Sequence, residues 1–352
     1  MDLKEKKKAQ LLKQGPVLKK TGFSKNLLNW YQENKESHPW RTFWLKHKSP
    51  YHVWVSEIML QQTLIKVVIP LYLKFFKKFP KIQDLANAES KELQQAVKGL
   101  GYYNRFDRLH KAAQYLCEKK LPVEWPDSYE AWKKIPGVGE YTASALSSIC
   151  LDEVKAVVDG NVERVLSRLF LIREEINTYS MKKILGELSQ TLILEESPGD
   201  YNQGIMELGQ KICLKSKPLC SSCPVSSYCL AYKKKATDSV PVVLKNKKSV
   251  EINITALIAV KKGKVFLTKR GEKSRFLKNR VGFPLLEIKK TGPSLGSFSH
   301  SITHHKIRVR VVKSSAQGLP KNLEGIWVEK SELENNLMSS LDSKILNCFQ
   351  PF

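Results

Sequence analysis

Four cysteines, two separated carboxylates and a glycine-rich turn hold the chemical potential of this sequence. Cys213, Cys220, Cys223 and Cys229 are separated by six, two and five residues. Four thiolates so close in sequence can wrap one metal centre. Zinc suits the two-residue knuckle, although zinc sites usually pair two such knuckles and only one is present. A compact loop with unequal spans, stiffened by Pro218 and Pro224, suits a cubane iron–sulfur cluster held by four cysteines. The spacing admits both metals. The cysteines number seven, and an odd count in a reducing compartment is no disulfide framework. Cys117, Cys150 and Cys348 sit among apolar residues and read as small buried hydrophobes.

Glu57 is the first carboxylate of interest. Val53, Trp54, Glu57, Leu60 and Leu64 recur at helical spacing, so one helix face would set Glu57 within an apolar stripe. Desolvation there raises a carboxyl pKa and lets it hold a proton near neutral pH, as a general acid needs. The alternative is a Glu at the stripe's edge, solvated or paired with lysine. Ile135-Pro136-Gly137-Val138-Gly139 joins two helical segments. Glycines there allow positive φ and close backbone approach, and the next helix opens its free N–H groups toward an anion such as phosphate. Asp159, some 20 residues on, precedes another helix. It is either an ordinary N-cap or a carboxylate facing a nucleic-acid sugar beside that hairpin.

These residues need a scaffold, and the pattern describes a mainly α one. Helical runs are Tyr51–Phe76, interrupted at Pro70, then Ser90–Lys98, Arg105–Lys119, Ser128–Lys134, Tyr141–Ile149, Val162–Phe170 and Tyr201–Cys213, after a helix capped by Ser24. Past Lys233 come a Lys-rich linker and β-like runs at Ile252–Val260, Val265–Thr268, Ile307–Val312 and Gly325–Val328, closed by a helix at Ser331–Cys348. The expected domains are a basic tail (1–22), a helical domain (23–232), a linker (233–250) and a small α+β domain (251–352). The 352 residues carry a net charge of +25, which favours a polyanionic partner. No apolar run approaches the roughly 18–20 residues that span a bilayer. Met1–Lys20 lacks the apolar core of a secretory signal. The expectation is an intracellular monomer, cytoplasmic and nucleoid-associated if bacterial, with nucleic acid as partner.

Several segments together resemble, in order and spacing, the MutY family of adenine DNA glycosylases, within the helix-hairpin-helix superfamily that includes endonuclease III. They are Pro39-Trp40-Arg41, Tyr51 to Thr63, Gly99-Leu100-Gly101-Tyr102-Tyr103, Leu109 to Ala113, Ile135 to Ala143, Asp159 to Val165, Tyr201 to Gly209 and the four cysteines. The resemblance implies a [4Fe–4S] cluster on those cysteines, and double-stranded DNA with adenine opposite 8-oxoguanine or guanine as substrate. It implies Glu57 as catalytic acid, Asp159 as stabiliser of the sugar cation, and Tyr141 and Asn161 as their orienting partners. Endonuclease III-like enzymes have a nucleophilic lysine where this chain has Tyr141, so hydrolysis without strand cleavage is implied. Gln62 and Tyr102 would fill or wedge the duplex. Trp40, Arg41 and Glu207 would line the adenine pocket, and Leu100 and Thr63 would lie near the opposing base. Gly137, Val138 and Gly139 would hold phosphate. The C-terminal domain resembles, more weakly, the family's Nudix-like reader. Its inspecting loop usually reads Phe-Ser-His; here it is Ile302-Thr303-His304. No Glu-rich hydrolase box is present, so recognition rather than nucleotide hydrolysis is implied. The stretch between Arg41 and Pro50, with Trp44 and His47, is longer than in the family.

Overall fold

The computed structural model describes residues 9–13, 20–119, 122–244, 250–272, 274–287, 292–302 and 304–349. Most of the basic tail, part of the linker, and Thr303 lie outside them. Two compact units emerge: Met1–Ala88 with Asn104–Leu244, and Glu89–Tyr103 with Lys245–Phe352. The second unit thus takes a segment that sequence reasoning assigned to the helical domain.

Helices make the first unit: α1 (Lys20–Asn34), α2 (Pro39–His47), α3 (Pro50–Leu60), α4 (Ile65–Lys78) and α5 (Ile82–Ala86). After α6 (Ser90–Ala96), which belongs to the second unit, come α7 (Asn104–Lys119), α8 (Tyr129–Lys133), α9 (Glu140–Leu151), α10 (Gly160–Leu169), α11 (Tyr179–Leu192), α12 (Pro198–Lys211) and α13 (Leu230–Lys233). The apolar stripe of α10 (Val162, Val165, Leu166, Leu169) packs in one cluster with Ile184, Leu185 and Leu188 of α11 and Tyr201, Ile205 and Leu208 of α12. Helix α3 is buried from Pro50 through Met59, so no solvent face exists to define a stripe.

Three local expectations are corrected here. Ser24 is not an N-cap: it lies inside α1, and its buried hydroxyl donates to the Leu192 carbonyl at 2.7 Å. The helical run Tyr51–Phe76 breaks at Gln61–Leu64, not at Pro70. Pro70 sits on the exposed side of α4, where water can serve the carbonyl that proline cannot. Leu64 consequently leaves the Glu57 stripe and is 66% exposed.

The linker reading is narrowed as well. Residues through Leu244 are held on the first unit. Val242 accepts from the Ile176 N–H and Val240 is buried.

In the second unit, β1 (Val250–Lys261) is central. It pairs parallel with β6 (His305–Ser314) and antiparallel with β2 (Lys264–Lys269) and β4 (Leu285–Leu286). Strand β2 also carries β3 (Val281–Gly282) and β7 (Gly325–Glu329), and β5 (Ser294–Ile302) closes the far edge on β6. Phe298–Ile302, which the family resemblance assigns to the inspecting loop, is therefore strand. The expected helix Ser331–Cys348 is two pieces, α14 (Leu333–Asn336) and α15 (Ser340–Asn347), because Ser339 breaks out to cap the Asp342 N–H. Under them Arg270 and Asp342 form a buried ion pair, which also accepts the Phe283 N–H.

Candidate active site

A cavity of about 1550 Å³ opens within the first unit. Its walls include Trp40, Arg41, Glu57, Gln62, Thr63, Tyr141, Asp159, Asn161 and Glu207, nine of the residues singled out from sequence. Lys35, Lys48, Lys66, Arg164 and Lys215 also line it, with Glu36, Asp152 and Asp200, so its wall carries both signs of charge.

Glu57 sits on α3 with 8% exposure. Burial pushes its carboxyl up to about 7, against the hydrogen bond from Tyr141, which favours the charged form. Nearby Asp159 reinforces the rise and Arg41 opposes it. Tyr141, on the first turn of α9, holds its hydroxyl 2.8 Å from Glu57 Oε2 and 3.3 Å from Met206 Sδ. One phenolic proton serves both states. It goes to Glu57 when that group is ionised. When Glu57 is protonated it can donate to Tyr141, whose proton then points at sulfur. Met206 is a partner that sequence reasoning missed.

Asp159 is the N-cap of α10. Its Oδ1 accepts from the Asn161 and Val162 N–H groups at 2.9 and 2.8 Å. Its Oδ2 accepts from the Asn161 side-chain amide at 2.9 Å. Both readings of Asp159 are thus compatible: the residue caps its helix and also faces the cavity. Asn161 is itself fixed by Arg164, whose Nη2 donates to Asn161 Oδ1 at 2.9 Å and to the Gly209 carbonyl at 2.7 Å. The Arg164 Nε donates to the Cys213 carbonyl at 2.8 Å. Arg168, one turn on and 2% exposed, donates to the carbonyls of Leu214, Lys215, Thr237 and Val240 and to Cys213 Sγ. Two arginines on the inward side of α10 were the available signal, since buried guanidinium groups require several acceptors.

Arg41 and Glu207 pair with one another, and Lys211 binds the second Glu207 oxygen at 2.9 Å. Arg41 also donates to Gln203 and lies over the Tyr31 ring. This carboxylate is 5% exposed, and its neighbours leave it well compensated. Gln62 is exposed on left-handed backbone, φ 55°. Arg105 holds that turn by donating to the Gln61 carbonyl and to Thr63 Oγ1.

Other expected site residues are not brought into the cavity. Gly137, at φ 82°, and Gly139 frame the turn between α8 and α9, with Val138 buried and bonded to the Ile135 carbonyl. Leu100, Tyr102 and His304 belong to the second unit. Cys213, Cys220, Cys223 and Cys229 are half-buried, and each of the last three feels the charge of Cys213. Among the described residues no three His, Cys, Asp or Glu close into a single-ion site. Cys117, Cys150 and Cys348 are half-buried rather than fully buried.

The profile of the HhH-GPD superfamily of base excision DNA repair proteins matches residues 55–190. The adenine DNA glycosylase of Mus musculus is 44% identical over 61% of this chain and 42% of its own length. That of Buchnera aphidicola is 32% identical over 82% of this chain and 85% of its own. A solved thermostable thymine-DNA glycosylase is 27% identical with TM-score 0.52, covering 61% of this chain and 97% of that one. This chain spans about two fifths of the length of the mammalian relatives it matches. No described helix is long and apolar enough to cross a membrane. With a near full-length bacterial relative at that identity, the chain belongs to the adenine DNA glycosylase family.

Proposed function

We propose that this chain hydrolyses the N-glycosidic bond of adenine mispaired with 8-oxoguanine or guanine in double-stranded DNA, as a monomer. The observation that carries the reading is Glu57: a buried carboxyl raised to about 7, bonded to Tyr141, in one cavity with Asp159. Adenine is a poor leaving group until protonated. Glu57 gives its proton to N7, the C1′–N9 bond breaks, and neutral adenine departs. Asp159 stabilises the positive charge left on the sugar, with Asn161 fixing the carboxylate's orientation. Water adds at C1′ and returns a proton to Glu57, which closes the cycle. Opposite tasks for two carboxyl groups in different surroundings are the general logic of glycoside hydrolysis. Tyr141 offers no amine, so no imine with the sugar forms there and the strand stays intact. The adenine must leave the stack first, at a cost of a few kcal/mol. Gln62 and Tyr102 offset that by filling the duplex. The Gly137-Val138-Gly139 turn supplies phosphate contacts, together with Lys35, Lys48 and Lys66 of the cavity wall. His304 and Thr303 would address the opposing base from a Nudix-like unit.

Four cysteines on one compact loop with unequal spans, half-buried as a group, suit a [4Fe–4S] cluster. Cys213, Cys220, Cys223 and Cys229 would hold it, and it would supply a covalent cross-link of the loop and no step of hydrolysis. Arg168 shapes that loop through its carbonyls.

The test is base release from duplexes with adenine opposite 8-oxoguanine, guanine, cytosine or thymine, beside thymine opposite guanine. Adenine release opposite 8-oxoguanine and guanine, abolished in Glu57→Gln with DNA binding kept, is expected. Thymine release alone would replace this reading with a pyrimidine glycosylase.

A further inference from the structure

Tyr102 is 57% exposed and sits at φ 45°, a left-handed backbone that a tyrosine rarely adopts. Gly99 at φ 97° and Gly101 at φ 65° flank it. A turn of this kind persists only where its surroundings over-determine it. The surroundings come from its two neighbours. Leu100 is 4% exposed. Tyr103 accepts the Gly99 N–H at 3.1 Å, which closes the turn upon itself, and donates to the Met338 carbonyl at 2.7 Å. The buried Arg280 guanidinium lies 5.5 Å from the centroid of the same ring. Lys98, just before the turn, donates to the Glu334 carbonyl. Residues from β3's approach and from the α14–α15 corner thus hold a turn that lies far from them in sequence.

We propose that Tyr103 is a positioning residue, fastening the Gly99–Tyr103 turn to the Met338 corner and so holding Tyr102 in the conformation from which it enters the duplex. This deepens the proposed function and rests on its reading of Tyr102 as the wedge. The sheet-bearing unit then has a second task besides facing the opposing base: it is the anvil on which the wedge is set. Tyr103→Phe tests this in the full chain, because it keeps the ring, the cation contact and the packing while removing both hydrogen bonds.

The readout is the fluorescence of 2-aminopurine placed beside the mispaired adenine, measured on binding without turnover, together with single-turnover adenine release. Wild type is expected to unstack the probe and Tyr102→Ala to fail. Tyr103→Phe should lie between, with release slowed about tenfold, the scale of one or two hydrogen bonds. In the Tyr102→Ala background the added Tyr103→Phe change should cost nothing further. Equal unstacking by Tyr103→Phe and wild type, or an equal loss with and without Tyr102, overturns the proposal. Probe unstacking by Tyr102→Ala at the wild-type level removes the wedge reading and the proposal with it. If wild type unstacks the probe but releases no adenine, the activity reading fails while the binding comparison still decides Tyr103.

Discussion

Arg164 and Asn161 lie one helical turn apart on α10 and share a 2.9 Å hydrogen bond, and through it the cysteine loop is joined to the Asp159 carboxylate in the cavity. From the Cys213 carbonyl the connection runs through Arg164 to Asn161 and on to Asp159 Oδ2. Each link is a single donor meeting a single acceptor. Arg164→Gln is expected to lower single-turnover adenine release about ten- to a hundredfold, the range for hydrogen bonds made by charged donors. DNA binding should fall much less. Unchanged release would mean that Asn161 holds Asp159 without this brace.

Gly209 tests the same constellation from the opposite side. A Cβ there would meet the Asn161 Cβ at 2.6 Å, with further Asn161 backbone atoms at 3.3 Å. Gly209→Ala should therefore push Asn161 off Asp159 and cut activity, with a loss of stability as α10 and α12 part. Gly186 on α11 has nothing within 4 Å of its notional Cβ. Gly186→Ala should stabilise by about 0.5–1 kcal/mol with activity intact. Thermal melts and initial rates on the pair give a matched comparison.

Glu57 sets a pH dependence whose sign follows from its environment. Its carboxyl titrates near 7 in the folded chain against an ordinary 4.5. The acid needed for adenine departure is present below about pH 7 and is lost as pH rises through it. Tyr141→Phe removes a bond that favours the charged form, so its alkaline limb should move upward. Stability follows the same sign. The contribution from neutral Glu57 is full below pH 4.5 and disappears above 7, on the order of 3 kcal/mol in all. Glu57→Gln should accordingly melt higher than wild type at pH 8 and match it in acid.

The cysteine loop predicts colour. Protein purified without oxygen should be yellow-brown, with iron and sulfide in equal amounts, and Cys223→Ser should lose that absorbance. Stoichiometric zinc in a colourless, fully active protein would refute the cluster.

The sequence pointed to residues that line one cavity more fully than to what holds them there. Glu57 was picked from a one-sided apolar stripe, yet α3 is buried on every side and Leu64 lies outside it. Its desolvation comes from helices packed around it, which no periodicity contains. Pro70 drew the expected break because proline lacks an N–H, but an exposed position made that loss cheap. The true break at Gln62 carries no glycine, and Arg105, over forty residues away, holds it. Arg164 and Arg168 were not singled out, since most of their acceptors are carbonyls from distant turns. Strand β5 was misread as loop because its alternation is weak, with half-buried and exposed residues and no fully buried one.

Gln62 and Tyr102 are both non-glycine residues on left-handed backbone, at φ 55° and 45°. Such a conformation costs a side chain about 1–2 kcal/mol that glycine would not incur. Glycine at either position would therefore make a more heat-resistant protein with nothing to insert. If these two side chains enter the duplex as proposed, heat resistance gained at either turn would come at the expense of binding, and stabilising changes belong elsewhere in the chain.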